Sequence, residues 1–207
     1  MKRHNILNII LAAIMVCGLS ESALAGGSDF KGKQAGGVEQ LTLSSTEAET
    51  LTFMREEEKL ARDVYLVMFA YWGSKTFINI AESEQKHMDA IKTLLDKYGL
   101  PDPAYQEIGV FNDPNLQDLY EQLESQGKVS KLEAFMVGAL IEEIDIEDLE
   151  TAIDQTDKQD LQRVYTNLMN GSENHLRAFV SQIERLGVNY EAQYLPQELV
   201  DEILGEK

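Results

Sequence analysis

Asn79–Ala90 reads N-I-A-E-S-E-Q-K-H-M-D-A. Glu84 and His87 stand three residues apart, which makes them neighbours on one face of a helix. Phe77, Ile80, Ile91, Leu94 and Tyr98 continue that face in steps of three and four. A carboxylate and an imidazole therefore occupy two successive core positions of an amphipathic helix. Burying a lone charge is costly, so the pair needs a partner, and a metal ion is one that both side chains can share.

The same pattern recurs outward from this stretch. Upstream, Thr46 is read as an N-cap, with Glu49 completing a capping box. The helix that follows has the stripe Leu51, Met54, Glu58, Ala61, Tyr65, Met68, in which Glu58 is the one charge; Glu56 and Glu57 fall off it. The second helix spans Lys75 to Tyr98, with Gly99 as its stop. The short link Tyr71–Ser74 makes the two an antiparallel hairpin. Residues 101–114 carry Pro101, Pro103 and Pro114 and read as a connection, followed by a short helix over Asn115–Gln126.

Downstream, Ser130 caps a third long helix with the stripe Leu132, Phe135, Ala139, Glu142, Ile146, Leu149, Ile153. Asp145 lies one turn beyond Glu142. It is either a further ligand or the N-cap of a fresh helical segment. A fourth long helix begins near Asp157 with Leu161, Tyr165, Leu168, Ser172, His175, Phe179 and Leu186 inward, and Gly187 ends it. The tail holds Pro196 and a short helix, Gln197–Leu204. The apolar residues keep a helical period and do not alternate, which predicts an all-α fold with a crossover connection between two halves and almost no strand.

Residues 1–25 are set apart from this. Lys2 and Arg3, a mostly apolar run from Ile6 to Leu19, and Ala23-Leu24-Ala25 have the layout of a cleavable secretory signal peptide. Cleavage after Ala25 would remove Cys17, the one cysteine of the 207-residue chain. No thiolate site or disulfide would remain. Residues 26–46 are read as a flexible leader, 47–187 as the helical domain, and 188–207 as a tail. The expected location is the periplasm or the cell exterior. The formal charge is −18, from 36 acidic and 18 basic residues. That argues against nucleic acid and anionic membrane as partners and suits a protein that attracts cations.

Each of the four long helices thus carries a ligand-type residue in an apolar stripe: Glu58, Glu84 with His87, Glu142 with Asp145, and His175. Carboxylates and imidazoles projecting between helices are the parts of a dinuclear carboxylate centre. Oxygen and nitrogen donors suit iron, or manganese in its place. Tyr65 and Tyr165 read as core tyrosines, with redox activity or hydrogen bonds to ligand carboxylates as the alternative. Arg62 reads as a partner in a surface salt bridge, or of a carboxylate such as Asp89 or Glu84, and Glu173 is an outside candidate for the ligand set.

These residues carry a resemblance. Glu58 to Tyr65 and Ile80 to His87 resemble the first two metal helices of rubrerythrin-type proteins of the ferritin-like superfamily. Glu142 and Asp145 resemble the paired carboxylates of their third helix, and His175 the histidine of their fourth. The phrases E-E-K-L-A-R-D-V-Y (Glu57–Tyr65), S-E-Q-K-H (Ser83–His87), I-E-E-I-D-I-E-D-L (Ile141–Leu149) and G-S-E-N-H-L-R-A-F (Gly171–Phe179) are similar to those of the domain of unknown function 2202 family. The resemblance implies a ferritin-like four-helix bundle holding two iron ions, with Fe(II) oxidation by dioxygen or peroxide reduction as its chemistry. Glu84 and Glu142 would be the bridges. It implies no catalytic residue beyond the ligands. A rubrerythrin has Glu three residues before the histidine of its fourth helix, where this chain has Ser172, a departure that Asp145 would have to make good. Two other readings use the same residues: a non-enzymatic metal carrier, and a structural bundle whose site has decayed. A monomer or homodimer is expected.

Overall fold

A computed structural model describes residues 42–205; the signal-peptide reading, and all but the last residues of the leader, lie outside them. The described residues form six helices and no strand. They are α1 (Ser45–Trp72), α2 (Lys75–Tyr98), α3 (Pro114–Gly127), α4 (Lys131–Asp154), α5 (Gln159–Arg185) and α6 (Gln197–Leu204). Among them, no helix is long and apolar enough to cross a membrane.

The helix ends follow local chemistry. Ser44, not Thr46, caps α1: its hydroxyl accepts from Glu47 N, and the Glu47 carboxylate accepts from Ser44 N. Both positions satisfy the S/T-x-x-E pattern. The choice is tertiary, because the other oxygen of Glu47 accepts from the Thr156 hydroxyl on the α4–α5 link. Gly73, at φ 66°, turns the chain between α1 and α2, a conformation that costs glycine nothing. Ser130 caps α4 as expected. α5 begins at Gln159, two residues later than read, because Thr156 accepts from Lys158 N and Gln162 Nε2 and holds Asp157 in the link. It ends at Arg185, so Leu186 lies outside the helix and is exposed.

The long helices pack as two pairs, α1 with α2 and α4 with α5, which meet through α1–α4 and α2–α5 contacts. The two-residue link at Gly73–Ser74 makes the first pair antiparallel. Helix α3 packs on α1 and α4, and α6 on α5. The core has two parts. One contains Leu51, Met54, Ile91, Leu94, Leu149, Leu161, Tyr165 and Leu168, from one end of the four long helices. The other contains Tyr65, Phe77, Phe135, Leu176, Phe179 and Ile183, from the opposite end. Between them, the stripes carry Glu58, Glu84, Glu142, Asp145, Ser172 and His175, all buried. Apolar packing thus seals a polar layer from both sides and sets its place in the fold.

Candidate metal centre

Between Arg55 and Asp63, helix α1 carries seven charged side chains in nine residues, and only Glu58 faces the other long helices at the polar layer. Arg55 donates two hydrogen bonds to Asp102. Glu56 accepts from Asn112 N and Asp113 N at the start of α3. Lys59, with no exposed surface, donates to Asp63 and to the Glu107 carbonyl. Asp63, equally buried, also accepts from Gly109 N and from Arg62. These contacts fasten the 99–113 connection along α1. Glu58 points the other way, toward α2. Arg62 bonds Asp63 and Gln85, so neither Asp89 nor Glu84 is its partner. Glu56 falls off the apolar stripe of α1 and is buried all the same, because the 99–113 connection folds back over that face.

Two triads face one another across the polar layer. Glu58, Glu84 and His87 bring potential ligand atoms within 4.8 Å of one another, and so do Glu84, Glu142 and His175. His87 Nδ1 lies 2.7 Å from Glu84 Oε2 and 3.2 Å from Glu58 Oε2. His175 Nδ1 lies 2.8 Å from Glu84 Oε1 and 3.4 Å from Glu142 Oε2. Glu84 therefore belongs to both groups, one oxygen to each, and the two imidazoles stack at 5.5 Å. The short contacts at Glu84 are not aligned as hydrogen bonds: both its oxygens, Glu58 Oε1, Asp145 Oδ1 and His175 Nδ1 are buried without a hydrogen-bond partner. Buried polar atoms normally have one. Five orphaned donors and acceptors converging on one layer fit a cation, which accepts lone pairs from any of them.

The electrostatics agree with that fit. Burial alone would raise the Glu84 carboxyl, but the two adjacent imidazoles outweigh it and hold the group down to about 2. Burial would lower His87, yet the charges of Glu58 and Glu84 lift it to about 11. Glu142 and Glu84 lift His175 to about 10 in the same way. Asp145, buried and next to the Glu142 charge, rises to about 8. Glu58 and Glu142 rise through burial, joined by the Asp145 charge at Glu58 and offset in part by His175 at Glu142. The layer holds more carboxyl groups than cationic ones, and it retains protons to balance them. A divalent ion would displace those protons.

Asp145 lies in the middle of α4, buried, and caps nothing. A single α4 helix runs unbroken from Lys131 to Asp154, which removes the capping alternative. The Ser172 hydroxyl lies within reach of Asp145 Oδ2 and the Leu168 carbonyl and shares its one proton between them, leaving Oδ1 unpartnered and buried. Glu173 pairs with Arg177 on the outer side of α5 and is not part of the layer. Tyr65 is more than core filling: its hydroxyl donates to Glu142 Oε1 at 2.6 Å. Its position seven residues after Glu58, on the same face, was the available signal. Tyr165 remains in the apolar core away from both triads. Gly171 has a role that spacing alone did not define. A Cβ there would come within 2.7 Å of His87 Cε1 and Nε2, so the missing side chain is the room in which that imidazole sits.

The family model described as "Uncharacterized protein domain (DUF2202)" matches residues 47–207. The chain is similar to the uncharacterized protein MJ0754 of Methanocaldococcus jannaschii, 52% identical over 164 residues, which covers 79% of this chain and 89% of that protein. It is also similar in structure to the crystal structure of the hypothetical protein MJ0754 from Methanococcus jannaschii, with a TM-score of 0.77 and 48% identity, covering 86% of this chain and 99% of that one. On the extent of the family match and the identity to MJ0754, the chain belongs to the DUF2202 family.

Proposed function

We propose that this protein is a ferritin-like four-helix bundle that binds two metal ions, iron or in its place manganese, in one carboxylate-and-histidine centre. Glu58 and His87 would hold one ion, Glu142 and His175 the other, with Glu84 shared. Asp145 would add the carboxylate that residue 172 does not supply. The observation that carries this reading is Glu84: it is buried, its two oxygens face different imidazoles, and neither has a hydrogen-bond partner.

When bound, such ions supply one-electron chemistry toward dioxygen or peroxide, and the proposed activity is Fe(II) oxidation or peroxide reduction. The chain's own residues supply position and charge. Tyr65 fixes Glu142 through Oε1 and leaves Oε2 toward His175. Ser172 fixes Asp145 through Oδ2. The flanking apolar layers keep bulk water from the carboxylates. With Cys17 the one cysteine, electrons would come from an outside donor or from Fe(II) itself. The signal-peptide reading of residues 1–25 supports a setting outside the cytoplasm for this chemistry.

Elemental analysis tests it. The chain from Gly26, loaded anaerobically with Fe(II) or Mn(II), is expected to hold about two ions, and the Glu84→Ala variant close to none, since Glu84 serves both triads. A well-folded wild type that takes up no metal would sink the proposal. Bound metal without turnover of Fe(II) or peroxide would leave a carrier.

A further inference from the structure

Beside the centre stands a second set of acidic groups that no triad uses. Glu57 is 7% exposed and lies beside Asp148, and its Oε2 is buried without a hydrogen-bond partner. Asp148 lies one helical turn beyond Asp145 on α4, as Glu57 lies one residue before Glu58 on α1. The four carboxyl groups thus line the α1–α4 seam in two ranks. Glu58 and Asp145 are the inner rank. Glu57 and the half-buried Asp148 are the outer one, and they approach the surface where Glu147 is exposed.

Among the described residues, no salt bridge joins Glu57 or Asp148 to a basic side chain, and the groups nearest to Glu57 include Asp148, Asp145 and Glu58. A buried carboxyl among acids is costly unless a proton or a cation sits there. Other buried acids of this chain are compensated without one. Asp63 has Lys59 and Arg62, and Glu143 accepts from three successive backbone amides. Glu57 has neither kind of partner, and it sits between the solvent edge and the triads.

We propose that Glu57 and Asp148 form an outer station at which divalent cations bind transiently on their way between solvent and the centre. This rests on the metal-binding reading above. A pair of hard oxygen donors with no imidazole suits a passing, still hydrated ion better than a resident one. Negative charge lining a low-dielectric seam also concentrates cations there.

Stopped-flow loading with Co(II), followed by its absorption once nitrogen and oxygen ligands bind it, tests the assignment. Asp148→Asn and Glu57→Gln are each expected to slow loading about tenfold, in line with the loss of local cation concentration. The final spectrum and amplitude should match wild type. Asp201→Asn, which removes an exposed charge on α6, is expected to load at the wild-type rate. Wild-type loading rates in both seam variants would overturn the station and leave a proton-sharing pair. Loss of the final spectrum in Asp148→Asn would overturn it too, making Asp148 part of the centre's own support. If wild type itself bound no Co(II), the failure would belong to the metal-binding reading.

Discussion

At the scale of single residues, the layer is decided by what each polar atom can bond. His87 owes its place to Gly171, whose missing Cβ leaves space for the imidazole edge. Gly171→Ala should favour the helix by propensity, by about 1 kcal/mol, while pushing His87 off its position. The expected result is a folded protein with at least tenfold weaker Co(II) affinity, read by titration. Protons make a second prediction. His87 and His175 hold theirs more tightly in the folded chain than their ordinary 6.5, at about 11 and about 10. Their stabilisation of the metal-free chain is complete below 6.5 and is lost as pH rises through those values. Asp145, raised from 3.8 to about 8, loses its contribution in the same direction across that window. Glu84, lowered from 4.5 to about 2, contributes above 4.5 and loses it as pH falls toward 2. Melting of the metal-free chain is therefore expected to fall as pH rises from 6.5 toward 10. Metal affinity should rise over the same range, with protons released on binding, which calorimetry in two buffers of different ionisation heat measures.

At the scale of elements, the buried acids outside the centre act as fasteners. Glu143, one residue from Glu142, accepts from Tyr190 OH and from the backbone N–H groups of Gln193, Tyr194 and Leu195. It thereby ties the segment before α6 to α4. Glu143→Ala would orphan those amides at about 1–3 kcal/mol for each that stays buried. Hydrogen exchange over 190–204 is expected to rise sharply while α1 and α2 keep their protection. The Lys59–Asp63 pair does the same for the 99–113 connection. Asp63→Ala leaves a fully buried ammonium without its counter-charge and should cost about 3–5 kcal/mol by denaturant unfolding. The helices and their periods were legible in the sequence, and so was the hairpin turn. The fasteners were not, since Glu56, Asp63 and Glu143 bond groups 46 to 57 residues away that no local pattern can name.

At the scale of the molecule, Glu58, Glu84 and His87 lie within the α1–α2 pair while Glu84, Glu142 and His175 join α2 to α4 and α5, so ions sharing Glu84 would tie all four long helices together. Binding should then stabilise the whole domain. At 100 times the dissociation constant the gain is about 2.7 kcal/mol, which corresponds to roughly 5–10 °C in Tm for a domain of this size. A chelator should reverse it, and Glu84→Ala should abolish it. A shift confined to one helix pair by hydrogen exchange would contradict a centre shared by all four.

The sequence by itself determined the helical class, the spans of the long helices to within a few residues, and five positions where a ligand-type residue interrupts an apolar stripe: Glu58, Glu84, His87, Glu142 and His175. It could do so because a 3.6-residue period reports which face of a helix is buried. Only the tertiary structure decided what lies across that face. It placed Glu84 between two imidazoles, turned Asp145 from a possible cap into a buried acid held by Ser172, joined Tyr65 to Glu142, and buried Glu57 against α4. Those outcomes depend on helix rotation and on the covering of a second face, and a pattern along one chain segment carries no record of the segment packed against it.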